Sequence, residues 1–220
     1  MIQFSNVTKD YDNLTALKGI TFSVDKGEMV FITGPSGSGK TTLLKLIYYA
    51  EKPDEGTISV AGWETDQLKA SSIPFLRRNI GVVFQDFRLL NNKNVFENVA
   101  IALRIRGVHE KEIKARVYEV LKAVTLRHKA DVYPRRLSGG EQQRVVISRA
   151  IVAEPTVLLA DEPTGNLDSG TAEGVMRIFK DINARGTTIM IATHNRELYK
   201  NSGRRVLNLD MGSLVGEDVG

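Results

Sequence analysis

Cysteine is absent from the 220 residues, which excludes disulfide frameworks, thiol nucleophiles and thiolate metal sites and suits a reducing compartment. Long apolar runs are missing too. The longest stretch without a charged side chain is residues 29–39, whereas crossing a bilayer takes roughly 20 apolar residues, so no membrane span is expected. The opening MIQFSNVTKDY has no basic region followed by an apolar run, and no secretory leader is expected. Charge is barely biased: 30 Lys and Arg against 26 Asp and Glu give a net +4. A surplus that small belongs first to a solvated surface and does not choose among phosphate ligands, anionic membranes and nucleic acid. The cations between Arg104 and Arg116 are interleaved with Glu110 and Glu112, which argues against a basic groove, and no nucleic-acid partner is expected. Repeats, low-complexity stretches and linkers are also lacking, and the length is that of one domain spanning residues 1–220.

What is present alternates between two periods. Ile2 and Phe4, then Leu17, Ile20, Phe22 and Val24, alternate with polar residues on either side of a polar break at residues 10–13, which predicts paired strands. Short apolar runs at residues 29–32, 58–61, 80–84, 157–160 and 188–192 read as buried strands, several of them separated by helical patterns. That alternation predicts an α/β fold with a largely parallel sheet. Between about residues 86 and 136 the strand signals stop, and Ile113, Val117, Val120, Leu121 and Val124 recur at helical spacing among charged residues. The region is expected to be an inserted helical lobe. A closing hairpin is expected over residues 205–215, with its turn near Met211 and Gly212.

Gly34-Pro35-Ser36-Gly37-Ser38-Gly39-Lys40-Thr41-Thr42 fits the pattern G-x-x-x-x-G-K-[ST] between an apolar strand and a glycine-free helical stretch. Glycines allow successive backbone N–H groups to face phosphate oxygens, and the helix N-terminus adds about half a positive charge. Lys40 can reach the β- and γ-phosphates, and Thr41 can bind Mg²⁺. The alternative is a Gly-rich turn capping an ordinary helix, but the flanking strand and helix favour nucleotide. A second acidic position belongs with it: residues 157–160 run straight into Asp161-Glu162, where a strand end meets the ligand-binding edge of an α/β sheet. Asp161 is the candidate metal ligand, and Glu162 the group that orients the attacking water.

Leu137-Ser138-Gly139-Gly140-Glu141 combines the S-x-x-E spacing of a helix capping box with two glycines exposing N–H groups at a positive helix end. A capped helix is the plain reading and a second phosphate contact the functional one. One domain can hardly aim both helix ends at a single phosphate.

With these motifs the sequence resembles the ATP-binding cassette (ABC) ATPases along essentially its whole length. The resemblance implies a P-loop NTPase with a RecA-like core, an N-terminal antiparallel subdomain and a helical subdomain. It also implies that two copies pack head to tail, each ATP lying between the phosphate loop of one and residues 138–141 of the other. It assigns Tyr11 to stacking on adenine, Gln85 to sensing Mg²⁺ and the attacking water, Asp168 of Gly165-Asn166-Leu167-Asp168 to the dimer interface, and His194 to the γ-phosphate. Lys40, Gln85, Glu162 and His194 are then the expected catalytic set, and Thr41, Gln85 and Asp161 the Mg²⁺ set. Asp161-Glu-Pro-Thr-Gly-Asn-Leu-Asp168 resembles the subgroup that holds the lipoprotein-release, macrolide-export and cell-division ATPases, and Pro74-Phe-Leu-Arg-Arg-Asn-Ile-Gly81, Phe84-Gln-Asp-Phe-Arg-Leu-Leu90 and Val95-Phe-Glu-Asn-Val-Ala100 are most similar to the cell-division branch, with lipoprotein-release and macrolide-export ATPases as the alternative. That branch implies a cytoplasmic protein, peripheral on the inner face of the plasma membrane, that drives an integral partner of the FtsX type. Phe87, Leu89, Leu90, Val95 and Phe96 are candidates for its docking groove, with burial in the lobe core as the competing reading.

Overall fold

The N-terminal alternation forms a hairpin in the computed structural model, which describes residues 1–220. β1 (Ile2–Tyr11) and β2 (Leu14–Val24) pair antiparallel, and Phe4 stands opposite Phe22 with ring centroids 4.7 Å apart. The other side of β1 takes β4 (Glu55–Val60), and β5 (Trp63–Glu64) completes a four-stranded antiparallel sheet in the order β2-β1-β4-β5. The run at residues 58–61 therefore joins this sheet and not the parallel one. An apolar run alone carries no strand direction, and only its pairing with β1 supplies it.

The second sheet has six strands: β3 (Met29–Thr33), β6 (Ile80–Val83), β7 (Val157–Asp161), β8 (Thr188–Ala192), β9 (Arg205–Asp210) and β10 (Ser213–Val219). Their order is β10-β9-β3-β8-β7-β6, parallel throughout except for β10 against β9. β3, β7 and β8 read as continuous apolar runs because both faces are covered. Val30, Ile32, Val157, Leu159, Met190 and Ala192 face the core shared with the antiparallel sheet and α1 (Lys40–Ile47). Their neighbours Met29, Phe31, Leu158, Ala160, Ile189 and Ile191 face the opposite core, under α5 (Gly139–Ile151) and α6 (Ser169–Ala184). Each large side chain so removed from water contributes roughly 1.5–3 kcal/mol.

After α2 (Ile73–Arg78) and β6, the chain enters a helical region built on α3 (Val95–Arg104) and α4 (Glu110–Ala123). Ile113, Val117 and Leu121, one turn apart on α4, are fully buried against Val95, Val99 and Leu103 of α3 and Val145 of α5. Arg106, just past α3, ties this region to the ends of α5 and α2: its guanidinium donates to the carbonyls of Ala153, at 2.9 Å, and Arg78. The hairpin of β9 and β10 turns at Met211 and Gly212, whose φ of 43° and 81° match the two left-handed positions that a tight two-residue turn needs. Its tip rests on the phosphate loop, with the Gly212 N–H donating to the Ser38 carbonyl at 3.2 Å.

A candidate nucleotide-binding and hydrolysis site

Parallel strands end on the same edge of their sheet, and the polar residues predicted for the site leave from that edge. Ile32, Ala192 and Asp161 stand in one row across β3, β8 and β7. The loop at residues 34–39 follows β3, His194 follows β8, Glu162 follows β7 and Gln85 follows β6.

Lys40 starts α1 and is only 8% exposed. Its ammonium folds back into the loop, donating to the carbonyls of Gly34 at 2.7 Å and Pro35 at 2.8 Å. Burial lowers its pKa, while the Glu162 and Asp161 carboxylates pull in the opposite direction. The loop closes tightly enough to need glycine at particular points. Gly39 has φ 104°, and a Cβ there would lie 2.6 Å from the Ala16 carbonyl oxygen; at Gly34, with φ 146°, a Cβ would lie 2.0 Å from that of Leu209. Gly39→Ala is expected to lower stability by about 1–3 kcal/mol and to weaken nucleotide binding together with it. Thermal unfolding and ATP titration of the same preparation measure both, and an unchanged melting temperature counts against the strain.

Asp161 ends β7, and burial pushes its carboxyl up, with Glu162 adding to the shift and Thr41 and Lys40 opposing it. A carboxylate disfavoured by burial is relieved by a nearby cation. No three His, Asp or Glu side chains converge into a metal cage. The fit is therefore to an ion held by Thr41, Asp161 and oxygens of the nucleotide itself, the manner in which Mg²⁺ is commonly bound.

Glu162 has the left-handed φ of 46°, a conformation that costs an ordinary residue about 1–3 kcal/mol and concentrates at functional sites. Its backbone is held by an N–H bond to the Ala192 carbonyl at 2.8 Å. Both carboxylate oxygens are fixed as well. Thr193 Oγ1 donates to Oε2 at 3.0 Å, while the His194 N–H at 3.0 Å and its Nδ1 at 2.6 Å meet Oε1. The His194 side chain is 68% exposed and that of Glu162 10% exposed, so the imidazole is the member of the pair with room to leave.

The remaining predicted residues do not join this cluster. Ser138 caps α5 in a complete capping box with Glu141, whose carboxylate also pairs with Lys129 and is held below its ordinary pKa chiefly by that lysine. Packing requires glycine at Gly140, where a Cβ would lie 2.3 Å from Thr171 Cγ2, whereas a Cβ on Gly139 would meet Leu167 Cδ2 only at an ordinary contact distance of 3.5 Å. No hydrogen bond connects residues 138–141 to the phosphate loop. Asp168 caps α6, accepting from the Thr171 N–H at 3.0 Å and hydroxyl at 2.7 Å, which keeps its pKa low. Gln85 is exposed and makes no hydrogen bond within the chain. Tyr11 ends β1, its ring 5.3 Å from the Lys9 ammonium and its buried hydroxyl without a partner.

Residues 17–165 match the ABC transporter family. Over 99% of its length the chain is 47% identical to the cell division ATP-binding protein FtsE of Streptococcus pneumoniae D39, covering 95% of that protein. It is 49% identical over 98% of its length to the protein so named in Escherichia coli K12, covering 98% of it. The dimeric post-hydrolysis structure of the ATP-binding cassette MJ0796 with ADP and Pi superposes with a TM-score of 0.91 at 36% identity, over 100% of this chain and 98% of that one. A cassette of the Clostridium perfringens cbiONQ transporter, cbiO1, also reaches 0.91 at 31% identity, over 98% and 87%. The chain belongs to the ABC transporter family. It is an ATP hydrolase of the ABC type, with the α/β architecture expected of one.

Sequence reasoning left three supports of this ABC ATPase unnoticed. Thr193, fully buried, fixes Glu162; its place directly before His194 was the available signal. Asn98, fully buried on α3, accepts from the Leu90 N–H and donates to the carbonyls of Leu90, Lys93 and Asn94. Arg149 of α5 donates to the carbonyls of Arg88 at 2.8 Å and Phe87 at 3.2 Å. Neither of the last two has a sequence signature. Of the groove candidates, Val95 is fully buried in the helical core and is unavailable to a partner. Phe87, Leu89 and Phe96 are half-buried, and Leu90 is exposed beside Tyr133 in an open depression lined also by Asn92 and Arg136.

Proposed function

We propose that this ABC ATPase binds Mg-ATP between two copies of itself and drives an FtsX-type membrane protein in bacterial cell division and cell-wall hydrolase activation. The observation carrying the division role is the 47–49% identity, over nearly the whole chain, to the FtsE proteins of Streptococcus pneumoniae, Bacillus subtilis and Escherichia coli. Pairing of copies is supported by the separation of residues 138–141 from the phosphate loop, since a second copy can bring its own α5 to the bound phosphates. The Mj0796 cassette forms a dimer. On this reading residues 1–220 are one nucleotide-binding domain, with residues 86–136 as its helical lobe. No helix is long and apolar enough to cross a membrane; on this reading the membrane protein supplies the spans and the ATPase works at its cytoplasmic face.

In the site so assigned, the backbone N–H groups of residues 36–42 wrap the phosphates, and Lys40 exchanges the carbonyls of Gly34 and Pro35 for phosphate oxygens. Tyr11 lies against adenine. Thr41, Asp161 and Gln85 would hold Mg²⁺, which would neutralise charge on the phosphate oxygens. Ser138, Gly139 and Gly140 of the second copy face the γ-phosphate, with Glu141 securing the cap behind them and Asp168 at the junction between copies. His194 turns from Glu162 Oε1 to the γ-phosphate. That movement frees Oε1 of a carboxylate whose other oxygen, Oε2, Thr193 keeps in place, and Oε1 can then accept a proton from the attacking water. The rest of the catalysis is fixed charge in a closed site.

The partner is tested by trapping the Glu162→Gln protein with ATP in native membranes, crosslinking and identifying the attached membrane protein by mass spectrometry. An FtsX-type protein joined near Leu90 or Phe96 is the expected result. A permease of a lipoprotein or macrolide exporter would transfer the function to extrusion and leave the nucleotide assignments in place.

A further inference from the structure

The loop after β6 lies along α5 and is fastened to it at separated points. Phe87 lies near the start of the helix, where a Cβ on Gly139 would be 4.0 Å from Phe87 Cζ. The carbonyls of Phe87 and Arg88 are then gripped by the guanidinium of Arg149, whose backbone stands about 15 Å further along the same helix at 1.5 Å per residue. Arg88 itself is held at a left-handed φ of 47°. The far end of the loop is anchored to α3 through both backbone groups of Leu90 and the buried amide of Asn98. Only residues 84–86 are left between the end of β6 and the first of these anchors, and Gln85, exposed like Asp86 beside it, is in their middle.

Arg149 is a costly way to fasten a loop. Its burial lowers its pKa, and no carboxylate lies within ion-pairing distance of it. A partly buried cation without a counter-charge does not repay its desolvation as a general stabilising element. Its two charge-assisted bonds go only to the loop carrying Gln85, and they fix where that loop stands relative to α5.

We propose that Arg149 is a positioning residue for Gln85: it makes the Gln85 loop move with the helix whose opposite end presents residues 138–140. The inference rests on the assignment of Gln85 to the hydrolytic site given above. Movement of α5 when a second copy closes on it is thereby passed to the Gln85 loop of the same chain, through backbone carbonyls and not through side-chain packing alone.

A double-mutant cycle on the purified chain with Mg-ATP tests this. Arg149→Gln is expected to lower kcat about ten- to a hundredfold, the effect of displacing a catalytic group by a fraction of an ångström to an ångström, with KM changed by no more than about twofold. Arg149→Lys, which keeps the charge but loses the planar fork, recovers part of the loss. The double variant Arg149→Gln/Gln85→Ala turns over no more slowly than Gln85→Ala alone. Losses that multiply in the double variant, or a kcat for Arg149→Gln close to that of the unaltered protein, overturn the inference. Should Arg149→Gln fail to fold, the same cycle run with Arg149→Lys decides by the same criterion. If Gln85→Ala by itself leaves kcat unchanged, the Gln85 assignment fails and the positioning role falls with it, whereas a slow Gln85→Ala with multiplying losses removes the Arg149 role alone.

Discussion

Glu162→Gln slows turnover by about 10²–10⁴-fold and keeps ATP binding. The amide oxygen can still accept from the His194 N–H, and the Thr193 hydroxyl can rotate to accept from the new NH₂ group, so the bonds that fix the carboxylate at 3.0 Å on either side have isosteric replacements. What the amide cannot do is take a proton from water. Loss of a positioned base costs typically 10²–10⁴ in rate, and that is the range expected for phosphate release under saturating Mg-ATP. Because the site still fills but does not empty by hydrolysis, the protein collects as a closed pair of copies, visible as a doubling of mass by light scattering with ATP and not with ADP. Unchanged turnover would remove Glu162 from the reaction. Loss of ATP binding would instead mean that the strained φ of 46° supports the loop architecture more than the chemistry.

Lys40→Ala is the second large effect, and it falls on binding. The ammonium has two short bonds to backbone carbonyls of its own loop, 2.7 Å to Gly34 and 2.8 Å to Pro35, so it is already placed where phosphate oxygens arrive. Two charge-assisted bonds at about 1.5–3 kcal/mol each predict an ATP affinity weaker by ~10²–10⁴-fold, measured by calorimetric titration with Mg-ATP. Stability should change little, because burial disfavours the lysine cation in the unliganded protein and its removal relieves that penalty while water reaches the freed carbonyls. An affinity within a few-fold of the unaltered protein would show that the glycine-rich backbone alone holds the phosphates.

The parts of this molecule that were legible in the sequence are those whose signal is local. Alternation marked β1 and β2, the spacing of Ile113, Val117 and Leu121 marked the buried stripe of α4, and Met211-Gly212 marked a turn because two consecutive left-handed residues are needed there. Ser138 and Glu141 announced their capping box by spacing alone. The phosphate loop was legible for the same reason: its glycines, lysine and threonine act within a few residues of one another. Less was visible where an outcome depends on a distant partner. The apolar run ending at Val60 could have joined either sheet, and only its pairing opposite Ile2 and Phe4 placed it in the antiparallel one. Val95 was readable as surface or core, and the packing of α3 on α4 and α5 decided for core.

By itself, then, the sequence determined the elements, their approximate order of α and β, and the chemistry carried by contiguous motifs, because hydrophobic period, capping and turn formation act over a few residues. The tertiary structure decided which strands are neighbours, and with that which side chains meet. Register in the parallel sheet lines up Ile32, Ala192 and Asp161, and that row brings the Glu162 carboxylate to Thr193 and His194, 31 and 32 residues later. It also laid the Gln85 loop along α5, so that Arg149 reaches carbonyls 61 and 62 residues earlier in the chain. A backbone carbonyl has no side-chain identity to read, and a bond to one leaves no pattern in the sequence.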